Sequence, residues 1–284
     1  DWAVDAFHKW WGAGPRDAHY GEIFHAARSG ERGALPDLIV IAGDKDRPGI
    51  VRATALSEMA MQPLTEVQIQ AATVYLKDRD PLIRAEAVAL MERLPPVERL
   101  RLLEASLVDE TRAVRLEAAR VLAAATGLMN ESQRGVFDSV AKEFETRQAA
   151  LSDRAAGYLR LALFYQDMGR LPEAEAAYRK AFEIEPDNVP TRVNLGELLI
   201  QQQRFGEAEA IYRDAVAFAK MDGNIGVAHD ALARFLIRMK RYDEGIVELR
   251  EAARLLPEDP RVQYFMGVAF QCFLHQGNRD NGRR

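Results

Sequence analysis

A hydrophobic-small pair recurs four times in the last half of the chain, as Leu161-Ala162, Leu195-Gly196, Leu232-Ala233 and Met266-Gly267, at spacings of 34, 37 and 34 residues. Behind the first three pairs the same trailing positions return. A small residue stands at Ala174, Ala208 and Gly245, a large one at Tyr178, Tyr212 and Leu249, and an alanine at Ala181, Ala215 and Ala252. A period of this length is one helix-turn-helix unit, because a single hairpin cannot bury its own apolar face and must stack on a neighbour. The small residues let the two helices of a unit approach, and the large ones fill the space between. Such a chain is confined to an all-α stack, and its function is expected on a surface rather than in a pocket.

Upstream runs a shorter period. The stretches 46–52, 78–84 and 109–115 each begin with an aspartate and end with an arginine, and the arginines lie 32 and 31 residues apart. Each arginine is followed by alanine three residues on (Ala55, Ala87, Ala118) and by a long apolar residue seven on (Met59, Met91, Leu122), which is one helical face. An aspartate just before a helix accepts its first N–H groups, and an arginine in the first turns can reach the next unit's carboxylate. Asp46, Arg52, Asp78, Arg84, Asp109 and Arg115 are therefore expected to form a structural ladder rather than an anion-binding row. Partner helices are expected over 64–77 and 97–107, bounded by Pro63 and by Pro95-Pro96. Residues 131–151 read as one longer amphipathic helix with Val136, Val140, Phe144 and Ala149 on one side. Two short helices, 1–11 and 18–28, stopped by Gly12-Ala13-Gly14-Pro15 and by Gly30, would cap the stack. The expected organisation is thus a cap over 1–33, short hairpin repeats over 34–128, a linking helix over 129–154, and three full repeats with one incomplete over 155–284. The last is incomplete because 274–284 is polar and glycine-bearing, with no second helix.

The residues of the second half closely resemble the tetratricopeptide repeat family: Tyr158, Leu161, Ala162, Tyr165, Ala174, Tyr178, Ala181 and Pro186 match its framework at every position. The second copy departs from it, with Arg192 where a large apolar residue is usual and Lys220 in place of the closing proline. The third copy follows three extra residues within 221–227 and carries His229 at its first large position. The hairpins of the first half resemble short HEAT-like repeats, in which aspartate and arginine form such a ladder. Together these resemblances imply a right-handed α-α superhelix (solenoid) of HEAT-like hairpins followed by tetratricopeptide repeats.

In tetratricopeptide arrays the first helix of each unit lines a concave groove that takes a protein or peptide. Carried onto this chain, the groove positions are Leu159, Arg160, Leu163 and Gln166, then Val193, Asn194, Glu197 and Gln201, then Asp230, Arg234 and Arg238, then Tyr264 with Val268 and Gln271. The groove is expected to be apolar at its start and cationic toward its end. Asn194 matches the middle asparagine of the family's carboxylate clamp. The other clamp positions hold Leu159, Leu163, Val227 and Ala231, so no clamp is expected.

Composition removes several function classes. Over 284 residues the net charge is −5 and no basic stripe appears, which argues against nucleic acid. The longest apolar run, 38–43, is far short of the roughly 20 residues a bilayer span needs, so no membrane insertion is expected. A single cysteine, Cys272, allows no internal disulfide and no multi-cysteine metal site. No HExxH, CxxC, phosphate loop or serine elbow occurs, so the chain is not expected to be an enzyme. Carboxylate pairs such as Glu183 with Glu185 and Glu207 with Glu209 are expected on solvent faces.

Histidines cluster at the start, as His8, His19 and His25, among Trp2, Phe7, Trp10, Trp11 and Tyr20. By themselves these read as the core and surface of a cap. The order Lys9-Trp10-Trp11-Gly12, His19-Tyr20-Gly21, short HEAT-like units, linking helix and tetratricopeptide repeats also resembles the C-terminal scaffold of periplasmic multihaem c-type cytochromes. No CxxCH is present, so no haem c is attached within these residues. That resemblance implies haem c in a larger parent protein, electron transfer, a periplasmic location, and His19 as a ligand to a haem held elsewhere; the residues themselves leave the compartment open. The expected function is a non-catalytic scaffold for protein-protein interaction, with the cytochrome scaffold as the alternative. Self-association is a further expectation, through Tyr264, Phe265, Val268 and Phe273 of the incomplete last unit.

Overall fold

A computed structural model describes residues 19–31, 33–150, 154–220 and 222–281, together with residues 2 and 9; for 222, 223, 270 and 272–281 it describes the backbone alone. The expected helix over 1–11 and its glycine-rich stop lie outside the described residues apart from those two positions, as do Phe7, His8, Trp10 and Trp11. Among the described residues all regular structure is helical, and the chain divides into two compact units, Asp1–Phe144 and Glu145–Arg284.

The first unit opens with α1 (Tyr20–Arg28) and α2 (Ala34–Gly43). Three long inner helices follow, α3 (Gly49–Ala60), α5 (Pro81–Leu90) and α7 (Arg112–Leu122). Between them lie α4 (Glu66–Ala71) and α6 (Pro96–Leu103), which tighten into 3-10 turns over Ala72–Lys77 and Glu104–Val108. Their starts are written in side chains. Thr65 and Gln68 form a reciprocal capping box on α4, Asp80 accepts the Leu82 N–H at 2.9 Å, and Pro81 and Pro96 occupy first-turn positions whose N–H would be unpaired anyway. The recurrent apolar face becomes the core: Val51, Ala55 and Met59, Ile83, Ala87 and Met91, and Val114, Ala118 and Leu122 are all buried. Each large member contributes about 1.5–3 kcal/mol of burial.

Helix α8 (Glu131–Ala149) begins with a second reciprocal pair, Asn130 with Gln133, and carries the boundary between the units. Its buried stripe is Phe137, Val140, Ala141, Phe144 and Gln148. Val136 and Ala149, expected on that side, are exposed. Val140 and Phe144 select a face that turns one position away from Val136, because 3.6 residues per turn favours i, i+3, i+4 and i+7.

The second unit is a run of antiparallel hairpins: α9 (Ala155–Asp167) with α10 (Leu171–Ile184), α11 (Val189–Gln201) with α12 (Phe205–Phe218), and α13 (Asp222–Arg238) with α14 (Tyr242–Leu255). The three extra residues of the third copy lengthen its first helix, 17 residues against 13 in α9 and α11. Each first helix turns into its second through one left-handed residue, Gly169, Gln203 or Lys240, with φ of 75°, 61° and 63°. Tyr178 and Tyr212 are fully buried between helices. The need for a small partner is visible at Gly196, where an added Cβ would stand 2.5 Å from Cζ of Tyr212.

Arg192, the departure from the family pattern, is 5% exposed. Its guanidinium lies 5.0 Å from the ring centroid of Phe182 and 4.7 Å from that of Phe218, and it donates to the Pro186 carbonyl. Aromatic faces thus replace an apolar contact with a cation–π one. The final helix, α15 (Pro260–Asn281), runs on into the polar tail, its backbone helical for 22 residues.

Candidate functional site

Two arginine ladders tie successive hairpins together, one expected and one not. In the first, Arg52 donates to Asp78 at 2.8 Å, and Arg84 grips both oxygens of Asp109 at 2.8 and 2.9 Å. Arg84 also donates to the Asp78 carbonyl at 2.9 Å, and Arg115 repeats this at the Asp109 carbonyl at 2.8 Å. Each aspartate closes its turn as well, Asp78 accepting the Asp80 N–H and Asp109 the Thr111 N–H. Burial alone would raise the pKa values of Asp78 and Asp109, but these N–H groups and guanidinium groups outweigh it and hold both below the usual carboxylate range. Since Arg52, Arg84 and Arg115 all have partners within the chain, the row offers no free anion site.

Two members of this ladder depart from expectation. Asp46 is not a rung: the turn-closing carboxylate of the first unit is Asp44, which accepts the Asp46 N–H at 3.1 Å and pairs with Arg47 at 3.0 Å. The turn before Pro48 is two residues longer than the others, so Arg52 finds the Ala42 carbonyl, at 3.0 Å, in place of an aspartate carbonyl six residues back. At the other end, α8 supplies Glu143, which takes Arg115 at 3.1 Å.

The second ladder went unread in the sequence. Arg170, Arg204 and Arg241 each precede a second helix and each bind the glutamate three residues on, Glu173, Glu207 and Glu244, at 2.6–2.9 Å. Each also reaches back one helix pair: Arg170 to Glu145 at 2.8 Å, Arg204 to Glu175 at 2.5 Å and Arg241 to Glu209 at 2.6 Å. The arginine bonds hold the pKa values of Glu175 and Glu209 low. The pairs Glu207 with Glu209 and Glu173 with Glu175 are thus alternating ladder ends, not a free solvent face. The signal was the recurrence of Arg-x-x-Glu-x-Glu at 170–175 and 204–209; at 241–246 the last position is Ile246, and the ladder stops there.

The candidate site is the face of the first helices α9, α11 and α13, continued by α15. Leu159 is half-buried, Arg160 exposed and Leu163 42% exposed, which makes an accessible apolar start. Gln166 is not available in the same sense, because its Oε1 accepts the Tyr178 hydroxyl at 2.8 Å. Val193 and Asn194 are half-buried and Gln201 exposed. The expected cationic end is compensated internally. Arg238 meets Glu197 of the preceding repeat at 3.5 Å, and Arg234 meets Asp230 at 3.0 Å while lying 5.9 Å from the Phe265 ring. Asp230 is buried, and one of its oxygens finds no hydrogen-bond partner among the described residues. Burial, then the Glu197 carboxylate nearby, pushes the Tyr212 pKa up. Beyond this network Tyr264 is 66% exposed.

At the other end of the chain His19 is the N-cap of α1, its Nδ1 accepting the Gly21 N–H at 3.1 Å, and His25 is exposed on the helix. No group of three His, Cys, Asp or Glu suited to a metal occurs among the described residues. Nor, among them, is any helix long and apolar enough to cross a membrane.

Comparison with known proteins gives relatives over part of the chain and structural neighbours over most of it. Anaphase-promoting complex subunit 3 of Schizosaccharomyces pombe is 25% identical over 111 residues, 39% of this chain and 16% of that protein. The type IV pilus assembly protein PilF of Pseudomonas aeruginosa is 29% identical over 113 residues, 39% of this chain and 44% of that one. The chain therefore spans less than half the length of either relative. Among solved structures, a tetratricopeptide repeat protein from Parabacteroides merdae superposes over 88% of this chain and 98% of its own, at 12% identity and a TM-score of 0.47. A thermophilic one from Thermus thermophilus covers 73% of this chain and 100% of its own, at 20% identity and 0.42. Residues 153–221 match the tetratricopeptide repeat family, and the hairpins α9 to α12 that they form are the segment where sequence, framework packing and family similarity coincide.

Proposed function

We propose that this chain is a non-catalytic scaffold that holds a segment of a partner protein along the face of its first helices. The observation that carries the reading is the order of groups on that face: accessible Leu159 and Leu163, then Val193, then two self-compensated ion pairs, then exposed Tyr264. An extended segment gains apolar burial at the first end and hydrogen bonds to charged but neutralised groups at the other, which selects by pattern rather than by net charge. The two relatives support the class of function, one being named as a subunit of a complex and the other as a pilus assembly protein.

The test is capture of partners from the native source by wild-type protein, by Leu163→Asp and by Arg238→Glu, with Arg250→Glu on the exposed surface of α14 as control. Loss of the same captured protein in the first two and not in the control is the expected result. Equal capture by all four sinks the assignment. A haem-linked role through His19 gains no support from its geometry. Accepting from Gly21 at Nδ1 leaves the ring proton on Nε2, whereas a metal at Nε2 requires Nδ1 to carry the proton.

A further inference from the structure

We propose that a groove on the outer helices of the first unit binds an extended partner segment in which acidic residues stand beside apolar ones. The groove lies between the 3-10 turn that ends α4 and the one that ends α6. It holds about 600 Å3, and Val74, Leu76, Leu102 and Ala105 line it together with exposed Lys77 and Arg101. Past Arg101, Leu102 and Ala105 it runs on into a second hollow of about 420 Å3, bordered by Val108 and by Val136 of α8. Surface helices ordinarily turn charged residues to solvent. Here Val67, Ala71 and Val74 of one outer segment and Val97, Ala105 and Val108 of the next are all exposed, the four valines by 65–78%. A run of exposed apolar side chains of this kind marks a docking surface.

The charges say what docks. Elsewhere in the chain an arginine binds a glutamate three residues away, as Arg120 does Glu117 and Arg204 does Glu207. Arg101 has Glu98 and Glu104 at the same spacing and pairs with neither, because Gln70 takes Glu98 and Gln133 takes Glu104, each at 3.0 Å. Those two glutamates stand outside the groove lining. Lys77 has no ion pair among the described residues either, and Asp109, a carboxylate on the groove wall, is gripped by Arg84. Two cations without counter-charges beside an apolar wall are complementary to carboxylates flanked by apolar side chains: burial supplies affinity, and the charges choose the sequence and steer its approach. Packed helices lie about 8–10 Å apart, less than the roughly 10–12 Å width of a helix, so the trough between two of them suits an extended segment better than a further helix. The groove lies wholly within the first unit, and the inference is independent of the face formed by the first helices of the second.

The experiment selects phage-displayed random dodecapeptides on the intact chain, with counter-selection on the double variant Lys77→Glu, Arg101→Glu. Enriched peptides are then labelled and titrated by fluorescence anisotropy. They are expected to carry Asp or Glu next to Leu, Ile, Val or Phe, with the dissociation constant raised about tenfold or more by Arg101→Glu and by Val74→Asp. Leu163→Asp and Arg250→Glu, in the second unit, should leave it unchanged. All these positions are exposed, so the fold is kept, and far-UV circular dichroism checks that it is. The proposal is overturned if no peptide survives counter-selection, if the survivors lack acidic residues, or if binding withstands Val74→Asp or is lost in Leu163→Asp. Flotation of the wild-type chain with phosphatidylglycerol vesicles, lost in the double variant and accompanied by no selected peptide, overturns it in favour of an anionic lipid surface.

Discussion

Replacing Arg84 by methionine tests how much of the first unit hangs on its ladder. The aliphatic stem is kept and the guanidinium fork removed. What is lost is defined by the geometry: two bonds to the Asp109 carboxylate at 2.8 and 2.9 Å, two to the Asp78 and Arg79 carbonyls at 2.9 and 3.2 Å, and one to the Thr111 hydroxyl at 3.3 Å. What remains is the Asp109 carboxylate, 13% exposed, holding only the Thr111 N–H. Leaving a buried charge without its partner costs about 3–5 kcal/mol, a large part of the stability of a domain this size. Arg115→Met is the internal control. It too gives up a carbonyl bond, to Asp109 at 2.8 Å, but its carboxylate partner Glu143 is 36% exposed and can rehydrate, so the expected cost is smaller, about 1 kcal/mol. Urea unfolding followed by far-UV circular dichroism, with hydrogen exchange of the α5 and α7 amides, reads both. The reasoning is refuted if Arg84→Met lies within about 1 kcal/mol of wild type, or if Arg115→Met costs as much as Arg84→Met.

Three other outcomes follow from the same contacts. Gln203→Gly and Lys240→Gly, at left-handed positions that Gly169 already fills in the first repeat, should each stabilise the second unit by about 0.5–1 kcal/mol in urea unfolding, relief of strain exceeding the added freedom of the unfolded chain. Gly196→Ala should destabilise by about 1–3 kcal/mol, because the Tyr212 ring it would strike is fully buried and cannot give way; an unchanged midpoint would mean that helices α11 and α12 separate freely. Asp78 and Asp109 have folded pKa values below their unfolded ones, so their contribution is present above about pH 4 and is lost as pH falls through the folded values. The stability gap between wild type and Arg84→Met should accordingly narrow as pH falls below about 4, measured by urea unfolding at a series of pH values.

How much of this was legible depended on whether a residue's partner lay inside the repeating motif. The rungs Asp78, Arg84 and Asp109 could be read because donor and acceptor both recur with the period, and helix geometry then brings them together. Asp46 could not be distinguished from Asp44 by spacing. It has the right offset from Arg52, and only the longer turn ahead of Pro48 hands the role to its neighbour. The second ladder had its signal in Arg-x-x-Glu-x-Glu, but a surface arginine beside glutamates looks the same whether it bonds within its own turn or back to the preceding hairpin. The same ambiguity hid the pairing of Arg238 with Glu197 across two repeats, which turns an expected cationic end into a neutral network.

By itself the sequence determined that the chain is a stack of helical hairpins, because small and large apolar residues at a fixed period leave no other way to bury those faces. It also carries the start signals of four helices, in Thr65, Asp80 with Pro81, Pro96 and Asn130. Tertiary structure alone decided which charges are available. An arginine is free or spent according to what the neighbouring hairpin presents within about 3 Å, and that distance is set by packing between hairpins, which no local pattern encodes.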